Sequence, residues 1–224
     1  MWALSPWCRK NQRPLGVDAI LGHTNHDERM IWIASICISV AALVVSAMTA
    51  WLTLLRRGTV RMTRPAVVYF GPDGASRKEG SAKPKIFLRS LVYSTGKRGH
   101  IIESMFATLR RGEMRQTFNI WVYGEDKLAR GSGIYVGETG VVCNHHFVLP
   151  EDGTRFEFLA GDYRLDVYAA LVGHSASLHL CSVSLSISEQ AAQQLKDPEC
   201  GIYFDWGPES QRYQSHVRKK ATTD

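Results

Sequence analysis

Tyr163-Arg164-Leu165-Asp166-Val167-Tyr168-Ala169-Ala170-Leu171 is the stretch on which the fold turns. Tyr163, Leu165, Val167, Ala169 and Leu171 fall on one side of an extended chain, and Arg164, Asp166 and Tyr168 fall on the other. Successive side chains of a strand point to opposite faces, so the run has one apolar and one polar side. The next run repeats the pattern, with Cys181, Val183, Leu185 and Ile187 alternating with Ser182, Ser184 and Ser186. Two such runs in succession predict antiparallel strands with one buried face and one wet face.

Toward the N-terminus, shorter alternating runs recur at 65–70, 86–93, 100–109, 117–123, 133–136, 141–149 and 155–159. With 163–171 and 178–187 they make nine expected strands. Turn-forming groups stand between them, among them Gly71-Pro72-Asp73-Gly74, Arg111-Gly112, Glu138-Thr139-Gly140 and Gly161-Asp162. Glycine supplies positive φ at such places, and Asp and Pro initiate turns. Residues 74–84, rich in Gly, Ser and Lys, read as a flexible loop. The spacing predicts one all-β domain over 65–187, an antiparallel β-sandwich.

The run Leu159-Ala160-Gly161-Asp162-Tyr163-Arg164-Leu165 resembles the corner before the penultimate strand of immunoglobulin-like and fibronectin type III-like domains. The resemblance implies an immunoglobulin-like sandwich in which the Tyr163 hydroxyl hydrogen-bonds back across the corner. It covers about 30 residues and departs from antibody-type domains, since Leu165 stands where their second cysteine would be. A shared fold of this kind carries no activity with it. The whole chain is also similar to single-span membrane proteins of bacteria, which implies an inner-membrane location and again no activity.

Residues 31–55, IWIASICISVAALVVSAMTAWLTLL, are 25 residues without a charge. About 20 suffice to cross the hydrocarbon of a bilayer. Trp32 and Trp51 stand roughly 28 Å apart along a helix, which sets one indole near each interface. Together with Arg56, Arg57, Arg61 and Arg64 they form the expected membrane-interface set. A cleaved signal peptide has a shorter apolar core and small residues at its cleavage site, so an uncleaved anchor is the better reading. Arg13 and Arg29 precede the span closely, whereas four arginines follow it. That excess places the C-terminal domain in the cytoplasm. Ser35, Ser39, Ala42, Ser46 and Ala50 form one small-residue stripe suited to self-association of the helix, hence to a homodimer. Residues 1–30 lack a sustained period and read as a disordered tail, or as lying upstream of a start at Met30.

Charge is distributed unevenly. Residues 56–115 hold 14 Lys/Arg against 4 Asp/Glu, and residues 116–211 hold 5 against 13. A basic segment next to the anchor, beginning with a linker over 56–64, suits anionic lipid. Arg110, Arg111 and Arg115, with Lys97 and Arg98, lie in two turns read as neighbours and offer a face to an anionic partner. Nucleic acid is disfavoured because no aromatic residues interleave with these cations. After Ile187, Ser188 is placed to cap a short helix ended by Asp197-Pro198. Tyr203, Phe204 and Trp206 follow, and segment 188–206 reads either as closing the sandwich or as extending the partner face. Residues 207–224 read as a basic tail.

No catalytic residue is assigned: the chain has no G-x-S-x-G, H-E-x-x-H or P-loop pattern. Cys143-Asn144-His145-His146 holds soft-metal ligands, but alternation puts Cys143 and His145 on one face and Asn144 and His146 on the other. Cys143 and His145 fall in line with Val141, Phe147 and Leu149, so they read as core positions and only weakly as metal ligands. Domain cysteines are odd in number, namely Cys143, Cys181 and Cys200, which favours a reducing compartment. No cofactor is expected. The sequence thus predicts a membrane-anchored interaction or scaffolding module without enzymatic activity. The alternatives are an envelope-facing binding or assembly component and, last, a membrane-tethered metal-dependent hydrolase.

Overall fold

The computed structural model describes residues 18–55, 58–73, 83–124, 129–131, 133–150 and 155–219, and it divides into two units, residues 1–55 and 56–224. In the first, helix α1 (Asp18–Ala50) runs into one π-helical turn over Trp51–Leu55. Glu28–Thr53 is long and apolar enough to cross a membrane. Trp32, Ile38, Leu43 and Trp51 are each more than 60% exposed, as on a helix that is apolar on every side. Its hydroxyls are satisfied internally: Ser39 Oγ donates to the Ser35 carbonyl and Ser46 Oγ to the Ala42 carbonyl, each at 2.8 Å. That leaves few polar groups to solvate in hydrocarbon. Among the described residues the helix reaches back to Asp18, inside the stretch read as a tail, because a nucleated ladder propagates through residues with no apolar period.

The second unit comprises β1 (Val60–Met62), β2 (Val67–Pro72), β3 (Pro84–Ser94), β4 (His100–Arg111), β5 (Met114–Phe118), β6 (Ile120–Tyr123) and β7 (Ala129–Arg130). It continues with β8 (Ile134–Val136), β9 (Val141–Val148), β10 (Gly161–Leu171), β11 (Leu178–Ile187), α2 (Glu189–Gln194), β12 (Cys200–Gly207) and β13 (Arg212–Lys219). Two antiparallel sheets form. The larger has the order β13-β12-β2-β3-β9-β6-β7, with β1 also on β3; the smaller has β11-β10-β4-β5, with β8 also on β4. Their inner faces bury Phe70, Ile86, Leu88, Phe147 and Phe204 from one sheet and Met105, Leu109, Leu165, Val167 and Leu185 from the other. The protein is therefore all-β with one N-terminal apolar helix.

At the start of β10 the buried Tyr163 fixes the corner. Its Oη donates to the Leu159 carbonyl at 2.8 Å and accepts from the Leu159 N–H at 2.9 Å. Both backbone groups of Leu159 are thereby satisfied without a ladder. This explains why 155–159, expected as a strand, is irregular although Phe156 and Phe158 still pack inward. The expected strand 117–123 is two strands in two sheets. Phe118 and Trp121 are both buried, and a spacing of three cannot face one side of a single strand. The chain therefore crosses between sheets at Asn119.

The ends of the domain also differ from the sequence reading. Part of the basic linker is β1, with Val60 and Met62 inward. The closing segment is α2 followed by strand β12, and Arg212–Lys219 of the basic tail form strand β13. Ser188 does cap α2, its Oγ accepting from Ala191 N. The loop read over 74–84 falls at 74–82 outside the described residues, as do Arg56 and Arg57.

Candidate functional site: an arginine row on the outer face of the smaller sheet

Backbone register brings three arginines abreast. Arg164 of β10 stands opposite Arg110 of β4, which stands opposite Arg115 of β5, and Ser184 of β11 completes the row. Adjacent strands lie about 4.8 Å apart, and like charges directly opposite one another destabilise a sheet. The next row supplies the compensation. Asp166, opposite Thr108 and Ser182, has a side chain only 3% exposed. Its carboxylate accepts from Ser182 Oγ at 2.5 Å and Arg164 Nε at 3.1 Å, and Arg110 Nε lies 3.7 Å away. Burial would raise its pKa, but the hydrogen bonds from Ser182 and Arg164 and the charges of Arg164 and Arg110 hold it below the ordinary carboxylate value.

A bulge in the β10–β11 ladder beside Val167 shifts the register. It turns His179 outward, so that His179 Nε2 meets Ser182 Oγ at 3.0 Å. Ser182, His179 and Asp166 are thus in contact, with the serine hydroxyl between the imidazole and the carboxylate. The serine gives its proton to Asp166, while Arg164 Nη2 at 3.2 Å and the imidazole donate to its oxygen.

Beside the row opens a groove of about 780 Å³, bordered by Arg110, Arg164, Ser184 and Ser186 on one side and by Arg64, Trp206 and Arg212 on the other. Arg64 lies over the Trp206 ring, 4.0 Å from its centroid. Tyr213 Oη donates to the Pro65 carbonyl at 2.7 Å and ties down the next residue. Two of the groove's guanidiniums, Arg64 and Arg164, are therefore held in place by partners inside the domain. Asp162 is the acidic side chain along the rim.

No family model matches this chain, and no curated protein does. Among solved structures, a family 123 glycoside hydrolase from Clostridium perfringens, described for glycolipid glycan hydrolysis, is similar at 5% identity with a TM-score of 0.31. The match covers 59% of this chain and 27% of that one, so the chain spans about a quarter of that enzyme. Geometry shared to this extent transfers neither fold nor activity.

The residues expected to form one partner face are dispersed by the structure. Arg110 and Arg115 point outward in the row. Arg111, one position off, turns the other way: its Nη1 donates to the Ala160 carbonyl at 2.9 Å, bracing the corner. Lys97 and Arg98 lie in the β3–β4 turn, at the opposite end of the 12-residue β4 from Arg110, roughly 30 Å away at strand rise. The two turns are therefore not neighbours. Phe204 is core, Trp206 lines the groove, and Tyr203 lies on the outer face of the larger sheet. Of the expected interface arginines, Arg61 is exposed on β1, whereas Arg64 is drawn into the groove. Arg164 and Arg212 carried no sequence signal beyond being polar positions of strands. Register joins Arg164 to Arg110, and the groove between the sheets brings Arg212 beside them.

Cys143 and His145 are buried core positions. His145 Nδ1 accepts from Trp121 Nε1 at 3.1 Å, and burial, aided by the charge of His146, lowers the His145 pKa to about 4. Among the described residues no three His, Cys, Asp or Glu side chains converge where a metal ion would sit. Cys181 donates to Met62 Sδ at 3.4 Å, and burial pushes its thiol up to about 12, which leaves it protonated and unreactive at neutral pH.

Proposed function

We propose that this chain is a single-span membrane protein whose β-sandwich is a non-enzymatic recognition module, docking an acidic segment of a partner protein on the arginine row. The observation that carries the reading is the row itself: three like charges in register with one buried carboxylate beneath them. A surface serving only solubility mixes signs, whereas a standing repulsion is relieved when an anion arrives. Guanidinium forks match carboxylates in bidentate geometry, and the hydroxyls of Ser184 and Ser186 add donors along the groove.

The exposed apolar helix supports the anchor, and the arginine excess after it supports a cytoplasmic domain, at the inner membrane where the chain is bacterial. The small-residue stripe supports helix pairing. The test is retention of the detergent-solubilised full chain on immobilised polyglutamate. Arg110→Glu with Arg164→Glu should abolish retention, and retention unchanged by that pair would sink the reading. Fusions to reporters active on only one side of the membrane report sidedness, and an active outer reporter moves the domain to the envelope.

A further inference from the structure

The end of the sandwich at which the polypeptide enters carries a second, different surface. Gly58 and Thr59, the first described residues after Leu55, are locked to the β3–β4 turn. Thr95 N donates to the Thr59 carbonyl at 2.9 Å, Thr59 N donates to Thr95 Oγ1 at 2.8 Å, and His100 Nε2 lies 2.9 Å from the Gly58 carbonyl. The polypeptide arriving from the apolar helix is thus bound to that turn before β1 begins.

The large apolar side chains left exposed in this unit gather at the same end. Among the described residues they are Ile101, Tyr135, Val142, Leu159 and Val172, and all except Leu159 lie there. Ile101 stands opposite Tyr135 across β4 and β8, and the Val172 N–H donates to the Ile101 carbonyl at 3.0 Å, so three tips are contiguous. Val142 is the second residue of β9, opposite Leu91. The Tyr135 ring lies against Gly99 with its hydroxyl on the Arg98 carbonyl at 3.3 Å, an apolar ring with a polar tip, as favoured at a membrane interface. Lys97, Arg98 and Arg61 are exposed around these tips, with Glu103 and Glu138 as the acidic neighbours. Scattered apolar residues need no explanation, but a cluster at one end marks a contact surface.

We propose that this end docks on the bilayer that holds the helix, with Ile101, Tyr135 and Val172 entering the headgroup region and Lys97 and Arg98 meeting lipid phosphates. The occupant follows from continuity, because the chain reaches Gly58 directly from the apolar span and the surface it meets there is apolar with a cationic rim. Burial of apolar tips and attraction to anionic lipid add in such contacts. The inference rests on the membrane-anchored reading and deepens it, leaving the arginine row at the other end of β4 free for a protein.

The experiment is amide hydrogen exchange on the full chain, in detergent and in nanodiscs of phosphatidylcholine with and without phosphatidylglycerol. Peptides covering 95–102, 134–137 and 170–176 should exchange several-fold more slowly in the anionic discs, while 155–160 is unchanged. Ile101→Ser with Val172→Ser, both exposed and tolerable to the fold, should remove the protection. Equal exchange at both ends in the discs overturns the proposal. A parallel alkaline carbonate extraction separates the two readings. A chain stripped from membranes defeats the anchor itself, whereas a chain retained yet unprotected defeats only the docking of this end.

Discussion

Each sheet carries one row of side chains running across its strands on the outer face, and the two rows are opposites. On the larger sheet, register sets His216, Tyr203, Tyr69, Phe87 and His146 side by side through five strands. His216 stacks on Tyr203 at 5.6 Å, Tyr203 tilts against Tyr69 at 4.7 Å, and Phe87 meets His146 at 4.9 Å. Tyr69 lies over Gly71 and Gly201, where a Cβ would collide with the ring. These rings satisfy one another, as cross-strand aromatic pairs do. The arginine row on the smaller sheet repels itself and is steadied by Asp166, with Ser182 as a further acceptor for Arg164. The difference teaches how to separate a structural surface from a binding one. A row whose members stabilise each other needs no partner, and a row whose members oppose each other is completed by one.

Four perturbations would break or sharpen that contrast. The largest acts on the larger sheet through His145, directly behind the aromatic row. The unfolded chain takes a proton at that residue near pH 6.5, whereas the folded one resists until about 4. Between those values the unfolded state binds more protons, so stability falls as pH falls through the window and is flat above it. The loss should reach about 3 kcal/mol by pH 4, read by chemical denaturation at a series of pH values, and a flat profile from 7 to 4 would refute the burial argument. Tyr69→Ala should cost about 2 kcal/mol, since half-buried rings lose less than fully buried ones, and should leave polyglutamate binding untouched.

Asp166→Asn should cost about 1.5 kcal/mol, because its arginine partners remain hydrated. The same change should tighten polyglutamate binding, since the row loses its internal counter-charge. A variant that is weaker in both respects would mean that Asp166 merely positions the arginines. The smallest effect is Arg115→Gln, expected to raise stability by up to about 0.5 kcal/mol through relief of repulsion while weakening polyglutamate binding. Denaturation midpoints and a binding titration on the same sample check both signs.

How much of this was legible in the sequence depended on whether position was set locally. Strand β11 was read residue for residue because its apolar and serine positions alternate without interruption, and Tyr163 was legible because its corner is a local motif. β13 was missed because Arg212, Gln214, Ser215 and Arg218 are solvated on an edge strand, which leaves little hydrophobic alternation to detect. The false strand at 155–159 shows the converse: Phe156 and Phe158 alternate as a strand does, but Tyr163 satisfies the Leu159 backbone and no ladder forms. For the site, Arg110, Arg115 and Trp206 were named from composition. Arg64 was assigned to the membrane interface, and Arg164 and Arg212 were not singled out. Their union depends on β10 pairing with β4 and on the packing of one sheet against the other, long-range contacts that no local pattern encodes.

The central claim is that the arginine row is strained by its own charges and relieved by an anionic partner. The most direct test is the thermal unfolding midpoint of the full chain in neutral-lipid nanodiscs, measured with and without polyglutamate at low salt. A ligand that binds only the folded state stabilises it by mass action. The account predicts that polyglutamate raises the midpoint of the wild-type chain, that added salt removes the gain, and that Arg110→Gln with Arg164→Gln shows no gain over its own midpoint without polyglutamate. A midpoint indifferent to polyglutamate, or a gain that survives loss of both arginines, would contradict it.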